Sequence, residues 1–230
     1  AYRDYRLQSD SPARGVAPDG SDLGAFQYDG SVVFVKPDGN DATEGTSVAT
    51  AWKTLAHASK SLKPGQTLYI FPGKWEERLE LQGLKASEEK PTTIRVHGKD
   101  RATVLGIKTT DVSHLTIEGL RIAGKGGQDT FTISQSQGVK LRQAVSSRDG
   151  GAGLALRSCR DVVIESCGFS SSRVGVRMDA LCGSIEIVSS IFSNELGMEC
   201  EKLPAEFNSD FNVFIGAKTI GMLGGKQIRD

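Results

Sequence analysis

The sequence predicts an all-β protein, a right-handed parallel β-helix, and two sets of repeating columns carry this prediction. Short runs of alternating apolar and polar residues recur about every 23 residues. Their apolar residues align in two columns, Leu115/Val139/Val162/Ile185 and Ile117/Leu141/Ile164/Ile187. A second set of apolar pairs lies between them: Phe131/Ile133, Leu154/Leu156, Val176/Met178 and Met198/Cys200. Fixed-period similarity of this kind is typical of stacked coils.

Each repeat of about 23 residues has apolar strand faces to bury, and this requirement predicts that the repeats stack. A short strand with period-two alternation has one apolar face, and a single coil cannot cover that face by itself. Parallel coils above and below can cover it, so apolar columns become continuous inside the protein. Three apolar runs per frame predict three short sheets, with coils of 22 to 24 residues. A left-handed helix would need a six-residue apolar period, which the sequence lacks.

Length and charge narrow the functional classes. The chain has 230 residues, enough for one large domain. Lys plus Arg and Asp plus Glu both total 28, so there is no basic surplus to favour nucleic-acid binding. No apolar run approaches the roughly 18 residues that a membrane span needs. We therefore expect neither a nucleic-acid partner nor a membrane span.

The N-terminal part of the chain divides into an extension and the start of the helix domain. Residues 1–29 lack the coil pattern and are rich in Pro, Gly, Asp and Ser, whereas the domain is predicted over 30–230. VVFV at 32–35 reads as a strand. An amphipathic helix is predicted over about 47–62, because its apolar residues recur at helical spacing and Pro64-Gly65 ends it. We expect this helix to cap the open end of the β-helix.

The later elements follow the same columns. LYIF at 68–71 begins the first coil, and Ile94 and Val96 enter the column of Leu115 and Ile117. The charged segment 85–91 is predicted to be a surface loop. A further coil is predicted over 205–214, with Phe207 and Phe214 pointing inward. Beyond it the pattern fades, so we expect a domain truncated at its C-terminal end.

Four cysteines fall at core-like positions and do not have the spacing of a zinc site. Cys159 and Cys182 are 23 residues apart, so they should be vertical neighbours in adjacent coils. That distance is compatible with a disulfide. A pair of stacked free thiols is the alternative, and the sequence leaves both open.

Function should be sought in outward rows, because the inward positions are apolar. The first outward row contains Lys108, Thr132, Ala155, Arg177 and Glu199. The next contains Thr110, Ser134, Arg157, Asp179 and Glu201, and Lys202 follows. This cluster predicts a substrate or metal site. The alternative is an ordinary series of ion pairs, in which Arg157 pairs with Asp179 and Arg177 with Glu199.

Three segments resemble bacterial β-helix proteins of the pectate-lyase superfamily. DYRLQSDSPARG with DLGAFQY looks like the trailer that closes such modules, and VFVKPDGNDATEG through FPGKW looks like the opening of one. DFN at 210–212 resembles a DYN-type segment of late coils. The order of these segments implies that 1–29 is the trailer of a preceding module, or an N-terminal extension.

The resemblance implies a secreted or cell-surface protein that acts on an acidic glycan. In lyases of similar fold, carboxylates on this face can hold a calcium ion that neutralises the uronate, while Arg or Lys removes the C5 proton. The implied roles are catalytic for Arg177, Arg157 and Lys202, substrate-binding for Lys108, Ser134 and Asp149, and calcium-binding for Asp179, Glu199 and Glu201. The Asp, GHG and RIK motifs of polygalacturonase-type hydrolases are absent. The expected activity is β-elimination of a uronate glycan; the alternative is a non-catalytic glycan-binding or spacer module of a tandem surface protein.

Overall fold

The computed structural model describes residues 7–17, 23, 30–124, 129, 131–147, 151–170, 172–215 and 218–222. Its strands stack in parallel as a β-solenoid of about six turns, which confirms the predicted right-handed β-helix. Its strands lie on three faces, which we number in the order in which each full coil visits them. Face 1 contains β3 (Gly73–Gln82), β5 (Ala102–Thr110), β8 (Phe131–Ser134), β11 (Ala152–Arg157), β14 (Val174–Met178), β17 (Leu196–Cys200) and β20 (Lys218–Met222).

The other two faces complete each coil. Face 2 contains β1 (Val32–Val35), β2 (Thr67–Ile70), β4 (Thr92–Val96), β6 (Ser113–Glu118), β9 (Gln137–Arg142), β12 (Arg160–Glu165), β15 (Ile185–Val188) and β18 (Phe207–Asp210). Face 3 contains β7 (Arg121–Ile122), β10 (Val145–Ser147), β13 (Gly168–Ser170), β16 (Ile191–Ser193) and β19 (Val213–Phe214). Strand β5 joins faces 1 and 3, because Thr103 and Val104 pair with β7 whereas 107–110 pair with β8.

The strand register confirms the predicted inward columns. Val162 lies between Val139 and Ile185, and all three side chains are almost completely buried. The predicted last coil is also present, with Phe207 and Phe214 partly buried against the main core. Superposition of like residues therefore produces one apolar interior that runs through the coils.

The corners between faces 2 and 3 repeat a single backbone conformation. Gln143, Ser166 and Ser189 have φ values of 52°, 54° and 53°, in the left-handed region that bulky residues avoid. Their N–H groups continue the ladder, since Gln143 donates to the carbonyl of Glu165 and Ser166 donates to that of Val188. At the equivalent corners Gly119 and Phe211 have φ values of 76° and 56°, so the conformation recurs with residues of different size. It turns the chain without interrupting the hydrogen bonds between coils.

The capping helix begins later than the sequence predicts. Helix α1 spans Leu55–Ser61, and its N-cap is Thr54, whose side chain accepts a hydrogen bond from the N–H of His57. The residues before it form bends and turns, and Trp52 among them pairs with Val35 of β1. Leu55 and Ala58 are fully buried in the main core, so α1 covers apolar interior as expected. Among the described residues, no helix has the length and apolar character needed to cross a membrane.

Candidate functional site

The outward rows of face 1 have the predicted register. Along the first row, Lys108 pairs with Thr132, Thr132 with Ala155, Ala155 with Arg177, and Arg177 with Glu199. Thr132 and Ala155 are short and buried, so they form a low floor between the long side chains of Lys108 and Arg177. In the second row, Ser134 lies beside Arg157.

Three arginines and two carboxylates form an ion-pair network above this floor. Arg177 contacts Glu199 through Nε at 2.5 Å and Asp129 through Nη1 at 3.6 Å. Arg157 Nη2 lies 3.0 Å from Asp129, and Arg173 Nη2 lies 3.6 Å from Glu199. The side chains of Asp129 and Glu199 are only 12% and 11% exposed, whereas those of Arg157 and Arg173 are each 56% exposed. The carboxylates therefore hold the guanidinium groups from below and leave two of them facing solvent.

A concave surface of about 610 Å³ opens over this network. We call it the arginine groove and define it by Arg78, Lys108, Asp129, Arg157, Arg173 and Arg177. Its five cations and one carboxylate, together with the adjacent Glu199, sum to a charge of +3 (5 − 2). A cleft lined mostly by one sign of charge concentrates ligands of the opposite sign. The groove is therefore suited to an anion.

A second cavity of about 870 Å³ lies between α1 and face 1. We call it the helix cavity and define it by Ser59, Lys60, Glu77, Arg78, Glu80 and Lys108. Arg78 and Lys108 line both cavities, so the two are neighbours along the same face.

The predicted site residues are only partly brought together. Arg177, Arg157 and Lys108 line the arginine groove, and the predicted ion pair of Arg177 with Glu199 is present. Arg157 pairs with Asp129 instead of Asp179. Ser134 is half-buried beside Arg157, and Lys202 is exposed in the turn after β17. Asp149 lies outside the described residues.

The three predicted calcium ligands are engaged in other contacts. Both carboxylate oxygens of Asp179 accept the N–H of Ser158 at 3.0 Å, and Glu201 accepts the N–H of Ala180 at 3.3 Å. Glu199 is paired with arginine. Within the described ranges, no group of three or more His, Cys, Asp or Glu residues is placed to hold a metal ion. The arrangement of these side chains does not fit a calcium site, and the calcium prediction stays a prediction.

Sequence reasoning missed two residues of the network. Asp129 lies in the connection before β8, outside the strand alternation that defined the rows, and Arg173 directly precedes β14. Asp129 also accepts the N–H of Ala152 at 3.2 Å, so it connects the start of β11 to the arginines. The strand pattern locates neither residue, because both belong to connections between strands.

Comparison with known proteins shows the fold. No model of a protein family matches the chain. The uncharacterized protein YwoF of Bacillus subtilis is 30% identical over 101 residues, which is 40% of this chain and 21% of that protein. Alpha-1,3-galactosidase A of Akkermansia muciniphila is 43% identical over 66 residues, 28% of this chain and 11% of that protein. The matches thus span about a fifth or less of these relatives.

A solved structure named rhamnogalacturonan lyase has the same architecture. It superposes with a TM-score of 0.52 and 13% identity, over 80% of this chain and 62% of that one. The likeness shows the fold, a parallel β-helix.

Proposed function

We propose that the protein acts on an acidic polysaccharide and cleaves it by β-elimination next to a uronate residue. The observation that carries this proposal is the arginine groove, in which Arg157 and Arg173 face solvent above the mostly buried carboxylates of Asp129 and Glu199. A fold shared with a structure named rhamnogalacturonan lyase supports the same substrate class.

The exposed arginines are suited to neutralising a uronate carboxylate. A guanidinium carries five N–H donors, and Arg157 and Arg173 each have one close carboxylate contact among the described residues. Their remaining donors can bind a substrate carboxylate in the two-pronged geometry that arginine favours. Neutralising the carboxylate makes the neighbouring C5 proton more acidic, because negative charge develops there during its removal.

Lys108 is better suited than Arg177 to accept the C5 proton. Arg177 is held between Glu199 and Asp129, and arginine is not deprotonated in proteins. A lysine ammonium loses its proton far more readily, and Lys108 is exposed at the edge of the groove floor. We therefore assign proton removal to Lys108, although the sequence pointed to Arg157, Arg177 and Lys202.

The elimination balances with these groups. Lys108 takes the C5 proton, the electrons of the C5–H bond form a C4–C5 double bond, and the C4–O bond breaks. The leaving oxygen takes a proton from water. Arg157 and Arg173 neutralise the uronate carboxylate throughout these steps.

The proposal is tested by following the absorbance of the unsaturated product on a panel of uronate polymers. We expect product from at least one polymer, also with a calcium chelator present. Lys108→Arg keeps the charge but removes the base, so kcat should fall about 100-fold or more while KM changes little. Lys140→Arg, on face 2, is the matched control. Full activity of Lys108→Arg would contradict the assigned role, and loss of activity with the chelator would favour the predicted calcium ion.

A non-catalytic glycan-binding module is the second candidate. The matched segments cover only 21% and 11% of the curated relatives, which favours a chain that contributes one module to a larger protein. Binding of acidic glycans without release of any unsaturated product would favour this candidate. Under either candidate we expect a secreted or cell-surface location, where polymeric glycans are encountered.

A further inference from the structure

The helix cavity differs from the arginine groove in its charge. Its lining contains three cations, Lys60, Arg78 and Lys108, and two carboxylates, Glu77 and Glu80, so its charge is +1 (3 − 2). Arg78 and Lys108 are shared with the arginine groove. Lys60 and the two carboxylates therefore distinguish this end of the face. The net charge of the lining therefore falls from +3 in the arginine groove to +1 in the helix cavity.

Helix α1 forms one wall of the cavity and is fastened to the strand opposite. The N–H of Ala56 donates to Oε2 of Glu77 at 3.0 Å, and the N–H of Glu80 donates to Oγ of Ser59 at 3.1 Å. These bonds join the first turn and the middle of α1 to β3. The cavity is thus built into the fold, and its volume of about 870 Å³ is in the range of small-molecule sites.

Glu80 is the carboxylate of the helix cavity that lies next to the boundary with the arginine groove. It lies next to Lys108 in strand register, in the first outward row, and its side chain is exposed. A carboxylate is a strong acceptor for sugar hydroxyls but repels a second carboxylate. An acidic sugar beside Glu80 would therefore be disfavoured, whereas a neutral sugar could donate hydroxyl hydrogen bonds to it.

We propose that the helix cavity is a subsite for a neutral sugar residue, so that the two cavities together select a glycan in which acidic and neutral residues adjoin. This inference rests on the proposed function, because it places the acidic residue in the arginine groove. Adjacent rungs lie about 4.8 Å apart, so a chain running along the face passes from the arginines across Lys108 to Glu80 within a few rungs. Glu80 is the residue that sets the preference.

The test compares the dissociation constants of two hexasaccharides by calorimetry, one made only of uronate and one alternating uronate with a neutral sugar. We expect the alternating chain to bind the wild-type protein about tenfold more tightly. In Glu80→Lys the ratio should fall to about one or reverse, since the repulsion is replaced by attraction. Glu88→Lys makes the same charge change in the exposed 85–91 loop and should preserve the tenfold preference.

The outcomes separate this inference from the proposed function. Equal binding of both hexasaccharides by the wild type, with binding of both weakened in Arg157→Ala, would overturn the neutral subsite alone. A preference that survives in Glu80→Lys would overturn the role of Glu80. If neither hexasaccharide binds, the proposed function fails, and the subsite with it.

Discussion

Arg157 is the single residue on which the acidic-ligand proposal can be tested most directly. Its guanidinium is 56% exposed and contacts Asp129 at 3.0 Å. Asp129 is mostly buried but keeps its contact with Arg177 when Arg157 is removed, so the loss of stability should be small. A charged hydrogen bond to a ligand, in contrast, contributes roughly 1.5–3 kcal/mol. The contact should therefore matter more to binding than to folding.

We expect Arg157→Ala to weaken binding of a uronate oligosaccharide by about 10- to 100-fold, with less than about 1 kcal/mol lost from the free energy of unfolding. Arg142→Ala is the matched control, because Arg142 is 50% exposed and pairs with Glu165 at 2.9 Å on face 2. Titration calorimetry and chemical unfolding measure the two quantities. Equal binding by both variants would show that the ligand does not contact the arginine groove.

The cysteines provide a second test at the scale of single residues. All four are free and buried in the structure, and the thiols of Cys159 and Cys182 interact, which lowers the pKa of Cys159 and raises that of Cys182. Burial raises the pKa of Cys167 to about 11 from an ordinary value of 9.0. The free pair of thiols is thus the arrangement in this structure, and Cys167 favours its neutral form on folding.

The raised pKa of Cys167 predicts a loss of stability at alkaline pH. Below about pH 9 the thiol is protonated in both states, and above it the unfolded chain releases the proton first, so stability falls as the pH rises towards about 11. We expect the free energy of unfolding to drop by about 2 kcal/mol more for the wild type than for Cys167→Ala between pH 8.5 and 11. Parallel pH profiles of the two proteins would contradict this prediction.

At the scale of elements, close packing between coils explains why the second residue of β11 and of β14 is a glycine, Gly153 and Gly175. A Cβ placed on Gly175 would lie 2.4 Å from the carbonyl oxygen of Gly197 and 2.5 Å from the ring of Phe192. That ring belongs to a continuous stack, with centroids 5.2 Å from Phe169 and 5.0 Å from Phe214. The stack leaves no room for a side chain beside it.

We therefore expect Gly175→Ala to lower the free energy of unfolding by about 3 kcal/mol, because neither a backbone oxygen nor a stacked ring can yield cheaply. Gly168→Ala, in the preceding coil, is the control, since its nearest side-chain neighbour would be 3.7 Å away. That variant should change stability by less than about 1 kcal/mol. Similar losses in the two variants would argue against the close approach at Gly175.

At the scale of the whole molecule, the stacked arrangement predicts how protection is distributed along the chain. Each coil contacts mainly its neighbours, so a coil between two others gains from both. Strands β9 and β12 are paired on both sides, whereas β18 has a single strand neighbour, β15, among the described residues. We expect amide hydrogen exchange to be slowest in β9 and β12 and faster in β18. Uniform protection across all strands would indicate that the coils open only together.

The sequence by itself determined the stacked coils and their inward columns, because the period of about 23 residues leaves parallel superposition as the way to bury one face of each strand. It also located Lys108, Arg157 and Arg177 in outward rows, since alternation alone assigns a strand residue to a face. The pairing of Arg177 with Glu199 followed from the same register.

Only the tertiary structure decided the contacts made outside the strands. Asp129 contacts two arginines, and the carboxylate of Asp179 accepts the backbone N–H of Ser158. Helix α1 begins at Leu55, after Trp52, which pairs with β1. These contacts depend on loop conformations, which no periodicity specifies. The rows of the arginine groove and its Arg177–Glu199 pair are therefore predictable from the sequence. The ion pairs of Asp129 and Arg173 are not, because each joins a strand to a connection whose path is set by packing.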